Sequence, residues 1–133
     1  MTSKPLPTPT TFSKPFWDGA KRDELLIQKC SHCGELLMYP KRFCPACMSE
    51  ELSFIPAAGT GTILSYTVTK NNPYSGLADE LPLTTAIVML DEGVQMCTKI
   101  VDTPEEDLAV GAPVQVVFEH VDDEHTLVNF KQC

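Results

Sequence analysis

Hydrophobic and polar positions divide the chain into segments of different texture. Residues 1 to 15 (MTSKPLPTPTTFSKP) carry four prolines and few large apolar groups. Such a stretch buries too little surface to offset its ordering entropy, so a flexible tail is predicted. The run FWDGAKRDE from Phe16 predicts a short helix ending near Asp23 or Glu24, with Ser13 as N-cap and Pro15 in the first turn. Gly19 weakens that helix, and Phe12, Phe16 and Trp17 fall near one another on its surface. Short apolar runs at 25 to 27, 36 to 39 and 52 to 55 predict small ribbon strands.

Beyond Gly59-Thr60-Gly61, which reads as a flexible entry, the pattern turns to short β-rich segments. They lie at 62 to 69, 84 to 90, 94 to 101, 113 to 118 and 126 to 130. Asp91-Glu92-Gly93 is a short hairpin signal, and Thr103-Pro104-Glu105-Glu106 starts a single helical turn before the fourth segment. Five short strands with a helical turn before the fourth is the order of an OB-type barrel, in which closure removes the exposed edges of a small sheet. The chain is therefore predicted to be mostly β, with the tail at 1–15, the helix and a lead-in strand at 16–29, a ribbon at 30–58 and the barrel at 59–133.

The ribbon's reason to fold lies in its cysteines. Four of six fall into two C-x-x-C pairs, Cys30/Cys33 and Cys44/Cys47. Two such tight turns brought together by a short hairpin place four thiolates around one ion. Zinc is the first candidate, and thiolate softness also admits iron. Two disulfides are the alternative, but they need an oxidising compartment, and residues 1 to 20 lack an export signal's apolar core. Four thiolates leave no open coordination position, so the ion is expected to be structural, with the His32 ring turned to solvent.

Length and composition fit this picture. The chain has 133 residues, 43% of them hydrophobic and 21% charged, which is near the globular average. No apolar run reaches the roughly 20 residues of a membrane span, so a cytoplasmic location is expected. Charge then separates two function classes. Residues 1 to 48 hold seven basic and four acidic groups, net +3, whereas 49 to 133 hold three and 14, net −11. Zinc ribbons and OB barrels often bind nucleic acid, but a barrel so negative repels a phosphate backbone and has few counterions to release.

The chain resembles the small zinc-ribbon plus OB-fold proteins associated with acyl-CoA metabolism. The likeness covers about residues 12 to 130. It rests on Phe16-Trp17-Asp18-Gly19, Cys30-x-x-Cys33-Gly34, Cys44-Pro45-x-Cys47, the run from Gly59 to Val68, Leu90-Asp91-Glu92-Gly93-Val94, and Asp107-Leu108-x-Val110-Gly111-x-Pro113-Val114. The resemblance implies a rubredoxin-like ribbon and a non-catalytic accessory subunit of a hetero-oligomer. Its expected partner is a thiolase-fold acyl-CoA enzyme, including retro-aldol relatives, or else a hot-dog-fold enoyl-CoA hydratase. A stand-alone acyl-CoA or nucleic-acid binding module is the alternative outside that class. CoA or acyl-CoA would then be shared with the partner, with Lys41 and Arg42, and Lys21 and Arg22, as candidate phosphate contacts against the simpler reading of a solvated basic face. The family's usual Phe-Arg-Pro type ending is replaced here by Asn129-Phe130-Lys131-Gln132-Cys133.

The remaining residues are poor material for acyl transfer, which needs a nucleophilic cysteine, an activating histidine and an oxyanion hole. With four cysteines assigned to metal, Cys97 reads as a small inert strand residue and Cys133 as part of a fraying end. His120 and His125 flank a solvated acidic turn at 122 to 124. Catalysis is therefore expected from a partner. Candidate docking residues are Phe12, Phe16 and Trp17, which would anchor the helix on this chain or on the partner. Tyr74, Leu77 and Leu81 join them, in the long apolar connection at 71 to 83.

Overall fold

The computed structural model describes residues 6–71 and 82–133. Helix α1 (Lys14–Lys21) leads into β1 (Leu26–Cys30), β2 (Leu36–Leu37) and β3 (Leu52–Pro56), which form a three-stranded sheet in the order β2-β1-β3. Strands β4 (Thr60–Thr69), β5 (Leu83–Leu90), β6 (Gln95–Ile100), β7 (Pro113–His120) and β8 (Thr126–Gln132) close into a barrel in the order β4-β5-β6-β8-β7. A 3-10 turn at Glu105–Asp107 precedes β7. Among the described residues, then, the mostly β architecture with one α-helix, a cysteine ribbon and a closed five-strand barrel is what the pattern predicted.

Alternation positions the core. Strand β5 buries Thr84, Ala86, Val88 and Leu90, and β6 buries Met96, Thr98 and Ile100, each at every second residue. The apolar ones, Ala86, Val88, Leu90, Met96 and Ile100, meet Ile63, Val114 and Phe130 inside the barrel. The closing seam is narrow. Strands β6 and β8 pair in parallel with only Ile100 opposite Phe130 in register, whereas β7 and β8 pair from Val114/Gln132 to His120/Thr126.

Several expectations are corrected. The helix starts two residues early, with Pro15 in its first turn, and ends at Lys21 because Asp23 adopts φ 60°. Ser13 stands at the N-cap position without capping. Its Oγ instead accepts from Thr10 N at 2.8 Å, so it closes the preceding turn. Gly19 is a packing requirement: a Cβ there would lie 2.7 Å from Leu26 Cδ1. Gly61 is no flexible entry, because it pairs with Leu90 and Val114 inside β4 and a Cβ would collide with Met89 O. The last strand extends to Gln132, and Cys133 N donates to Pro113 O at 2.9 Å, which ties down the end expected to fray.

Candidate metal centre and docking surface

Each cysteine pair sits in a turn built the same way. Gly34 N donates to Cys30 O at 2.9 Å, and Met48 N donates to Cys44 O at 2.7 Å. The residue after each second cysteine is left-handed, with φ 80° at Gly34 and 65° at Met48. The first turn uses glycine, as that conformation favours; the second imposes it on methionine, whose side chain is left exposed. Strand β1 ends on Cys30, and β2 lies between the two turns, so the sheet brings the pairs together.

The four Sγ atoms lie within 4.8 Å of one another. Four sulfurs at 2.3 Å from a tetrahedral zinc are separated by about 3.8 Å. The 3.6 Å separations of Cys30 from Cys47 and of Cys33 from Cys44 match that spacing. Cys30 and Cys44 are buried, and His32 is exposed and outside the group. The donor set fits a structural zinc, which when bound supplies cross-linking to a segment with little core of its own.

Without the ion the thiols oppose one another. Backbone amides of Cys33 and His32 hold the Cys30 thiol down to about 6. Cys47 is pushed up to about 12, since burial and the neighbouring sulfurs outweigh the Ser49 amide that lowers it. Once one thiolate forms, a second beside it is unfavourable until a cation arrives.

The predicted docking aromatics separate. Phe16 is only 5% exposed and belongs to the core. It is therefore an internal anchor rather than a partner contact. Trp17 packs edge-on against it, with ring centroids 4.9 Å apart, and is half-buried. Phe12 is exposed. It lines a cleft of about 280 Å³ with Leu52, Phe54, Gln28, Lys41 and Arg42. In that cleft Arg42 Nε faces Glu50 Oε1 at 3.4 Å, and its guanidinium lies over the Phe43 ring. The candidates Tyr74, Leu77 and Leu81 lie outside the described residues.

Contacts between ribbon and barrel were not legible in the sequence. Tyr39 Oη donates to Cys97 O at 3.2 Å and accepts the Cys97 amide in return. Burial pushes the Tyr39 phenol above its ordinary value, so it remains a donor. Ala58 N donates to Glu92 Oε2 at 2.8 Å. Asp23 Oδ1 lies 2.7 Å from His120 Nε2, whose Nδ1 lies 2.9 Å from Thr126 Oγ1. His125 is likewise held, by Asp122 at 3.0 Å. Cys97, read as a small inert strand residue, is exposed, because the burial alternation of β6 runs through Met96 and Thr98.

Known proteins share this architecture throughout. Residues 17–53 match the ChsH2 rubredoxin-like zinc ribbon domain and residues 54–119 the ChsH2 C-terminal OB-fold domain. A DUF35 domain-containing scaffold protein of Methanothermobacter thermautotrophicus is 35% identical over 108 residues, covering 78% of each chain. The chain belongs to the DUF35 family. A probable enoyl-CoA hydratase alpha subunit of Thermomonospora curvata is 36% identical over 117 residues, which are 87% of this chain and 36% of that protein. The chain thus spans about a third of the length of that hydratase subunit. Among solved structures, a chain of the Ltp2-ChsH2(DUF35) aldolase superposes with a TM-score of 0.85 at 32% identity, covering 95% of this chain and 98% of that one. A DUF35 protein of unknown function from Sulfolobus solfataricus shares the fold, with a TM-score of 0.66 at 17% identity and coverage of 92% and 86%. Among the described residues no helix is long and apolar enough to cross a membrane.

Proposed function

We propose that this DUF35 chain is a cytoplasmic, non-catalytic scaffold subunit of a heteromeric acyl-CoA enzyme, with Cys30, Cys33, Cys44 and Cys47 holding one structural zinc. The catalytic cysteine or other reacting groups belong to the partner. The observation that carries this reading is the near end-to-end likeness, at 32% identity, to a chain of an aldolase whose name joins a second component to the DUF35 one. A thiolase-fold enzyme performing retro-aldol or ketoacyl cleavage is accordingly the first partner. Phe12 and Trp17 supply exposed or half-buried aromatic surface beside the ribbon for docking. The acidic barrel favours a protein partner over a nucleic acid.

A hydratase partner is the second reading. It is favoured by the hydratase alpha subunits of Thermomonospora curvata and Mycobacterium tuberculosis, which align over 117 and 103 residues of this chain. Co-expression of tagged chain with a thiolase-fold aldolase and, separately, with an enoyl-CoA hydratase separates the two. The expected result is a stoichiometric complex on size-exclusion chromatography that turns over an acyl-CoA, with neither subunit active alone. A monodisperse monomer that binds RNA and recruits neither enzyme overturns the proposal.

A further inference from the structure

We propose that Tyr39 couples the metal-held ribbon to the weakest seam of the barrel, so that an ion on the four cysteines keeps the outer edge of β6 closed. In the β5–β6 ladder Leu90 N donates to Val94 O, and the alternation carried along the strands turns Met96 and Thr98 toward β5 and Cys97 away from it. On the outer side β8 reaches only the end of β6, where Ile100 stands opposite Phe130 and Val101 N donates to Phe130 O at 2.8 Å. Thr98 Oγ1 adds a bond to Val128 O at 3.2 Å. The Cys97 amide and carbonyl would face the outer edge unpaired, and the Tyr39 hydroxyl satisfies both.

Tyr39 is itself placed by the ribbon. It lies between the two cysteine pairs. The neighbouring Lys41 is pinned through both backbone groups to the buried Gln28 of β1, with Lys41 N donating to Gln28 Oε1 at 2.7 Å and Gln28 Nε2 donating to Lys41 O at 3.0 Å. Releasing the ion frees both turns that bracket this segment, and the hydroxyl then leaves the seam. Tyr39 is a positioning residue in this device, since its oxygen is not among the metal ligands. The device is independent of which enzyme the chain serves.

Amide hydrogen exchange by NMR on the full zinc-loaded chain reads it directly. In Tyr39→Phe the Cys97 amide should exchange about tenfold faster, while Met96 and Thr98 stay within about twofold and one zinc is retained. Removing zinc from the wild-type chain with a chelator should reproduce the Cys97 change, and doing so in Tyr39→Phe should add nothing there. Equal Cys97 exchange in the wild type and Tyr39→Phe overturns the proposal. So does Cys97 protection that survives chelation, or chelation that releases Met96, Cys97 and Thr98 together, which would make the whole barrel depend on the ion.

Discussion

The ribbon and the barrel are both small β structures, yet they are held by different forces. The barrel buries Ile63, Val88, Leu90, Val114 and Phe130 almost completely in one closed layer, and burial of that apolar surface is sufficient reason for it to fold. The ribbon has three short strands, one of two residues, and two of its most buried side chains are the clustered cysteines Cys30 and Cys44. The barrel relies on hydrophobic contact; the ribbon packs Leu25 and Ile27 against the same core and adds a four-cysteine site suited to a cation. A chain segment too short for its own core can still present a rigid surface if an ion cross-links it.

The largest effect should come from Cys44→Ser. A structural zinc of this kind is worth about 10–16 kcal/mol to its fold, so zinc content should fall from one ion per chain to none, and the ribbon should lose amide protection while Val88 and Leu90 keep theirs. Barrel unfolding in parallel would erase the distinction between the two regions. Phe130→Ala tests the other side: deleting a fully buried aromatic costs about 3–5 kcal/mol, which should shift the urea transition of the barrel with zinc content unchanged. Gly61→Ala should cost about 1–3 kcal/mol in the same transition, since the methyl group must displace the Met89 carbonyl from a packed strand pair.

Smaller effects sharpen the comparison. Met48→Gly relieves a left-handed methionine and should stabilise the ribbon by about 1 kcal/mol, seen as slower zinc release to a chelator with the barrel transition unmoved. Asp122 reports on the barrel's hairpin tip. The Glu124 amide, then His125, hold its carboxyl below the usual carboxylate range. A depressed carboxylate contributes stability that is fully present above its unfolded pKa of about 3.9. That stability is lost as pH falls through the lower folded value. Wild type should therefore lose slightly more stability than Asp122→Asn between pH 5 and pH 2 in thermal melts, and the two should run parallel above pH 5.

Much of this fold was legible in residue order. The C-x-x-C pairs specify their own convergence, because each turn is local and four thiolates at that spacing suit a single ion. Alternation in 84 to 90 and 94 to 101 marks strands whose two faces differ, and Asp91-Glu92-Gly93 marks the hairpin between them. Other features were misread because their cause is distant. Gly19 and Gly61 look like weak points in a helix and a strand entry, whereas each is a site where another segment approaches too closely for a Cβ. Ser13 has the right chemistry for a cap, but Thr10 claims its oxygen first.

By itself, then, the sequence determined the strands, the four-cysteine cluster and the division between a basic front and an acidic barrel, since periodicity, spacing and charge are properties of neighbours along the chain. Only the tertiary structure decided which aromatic is buried, Phe16 rather than Phe12. It alone brought Tyr39 to Cys97, 58 residues away, and Asp23 to His120, 97 residues away. Those contacts exist because the barrel closes with a short seam and the ribbon packs against it. Which side chains meet across such a closure depends on the positions of whole strands, and no local pattern encodes that.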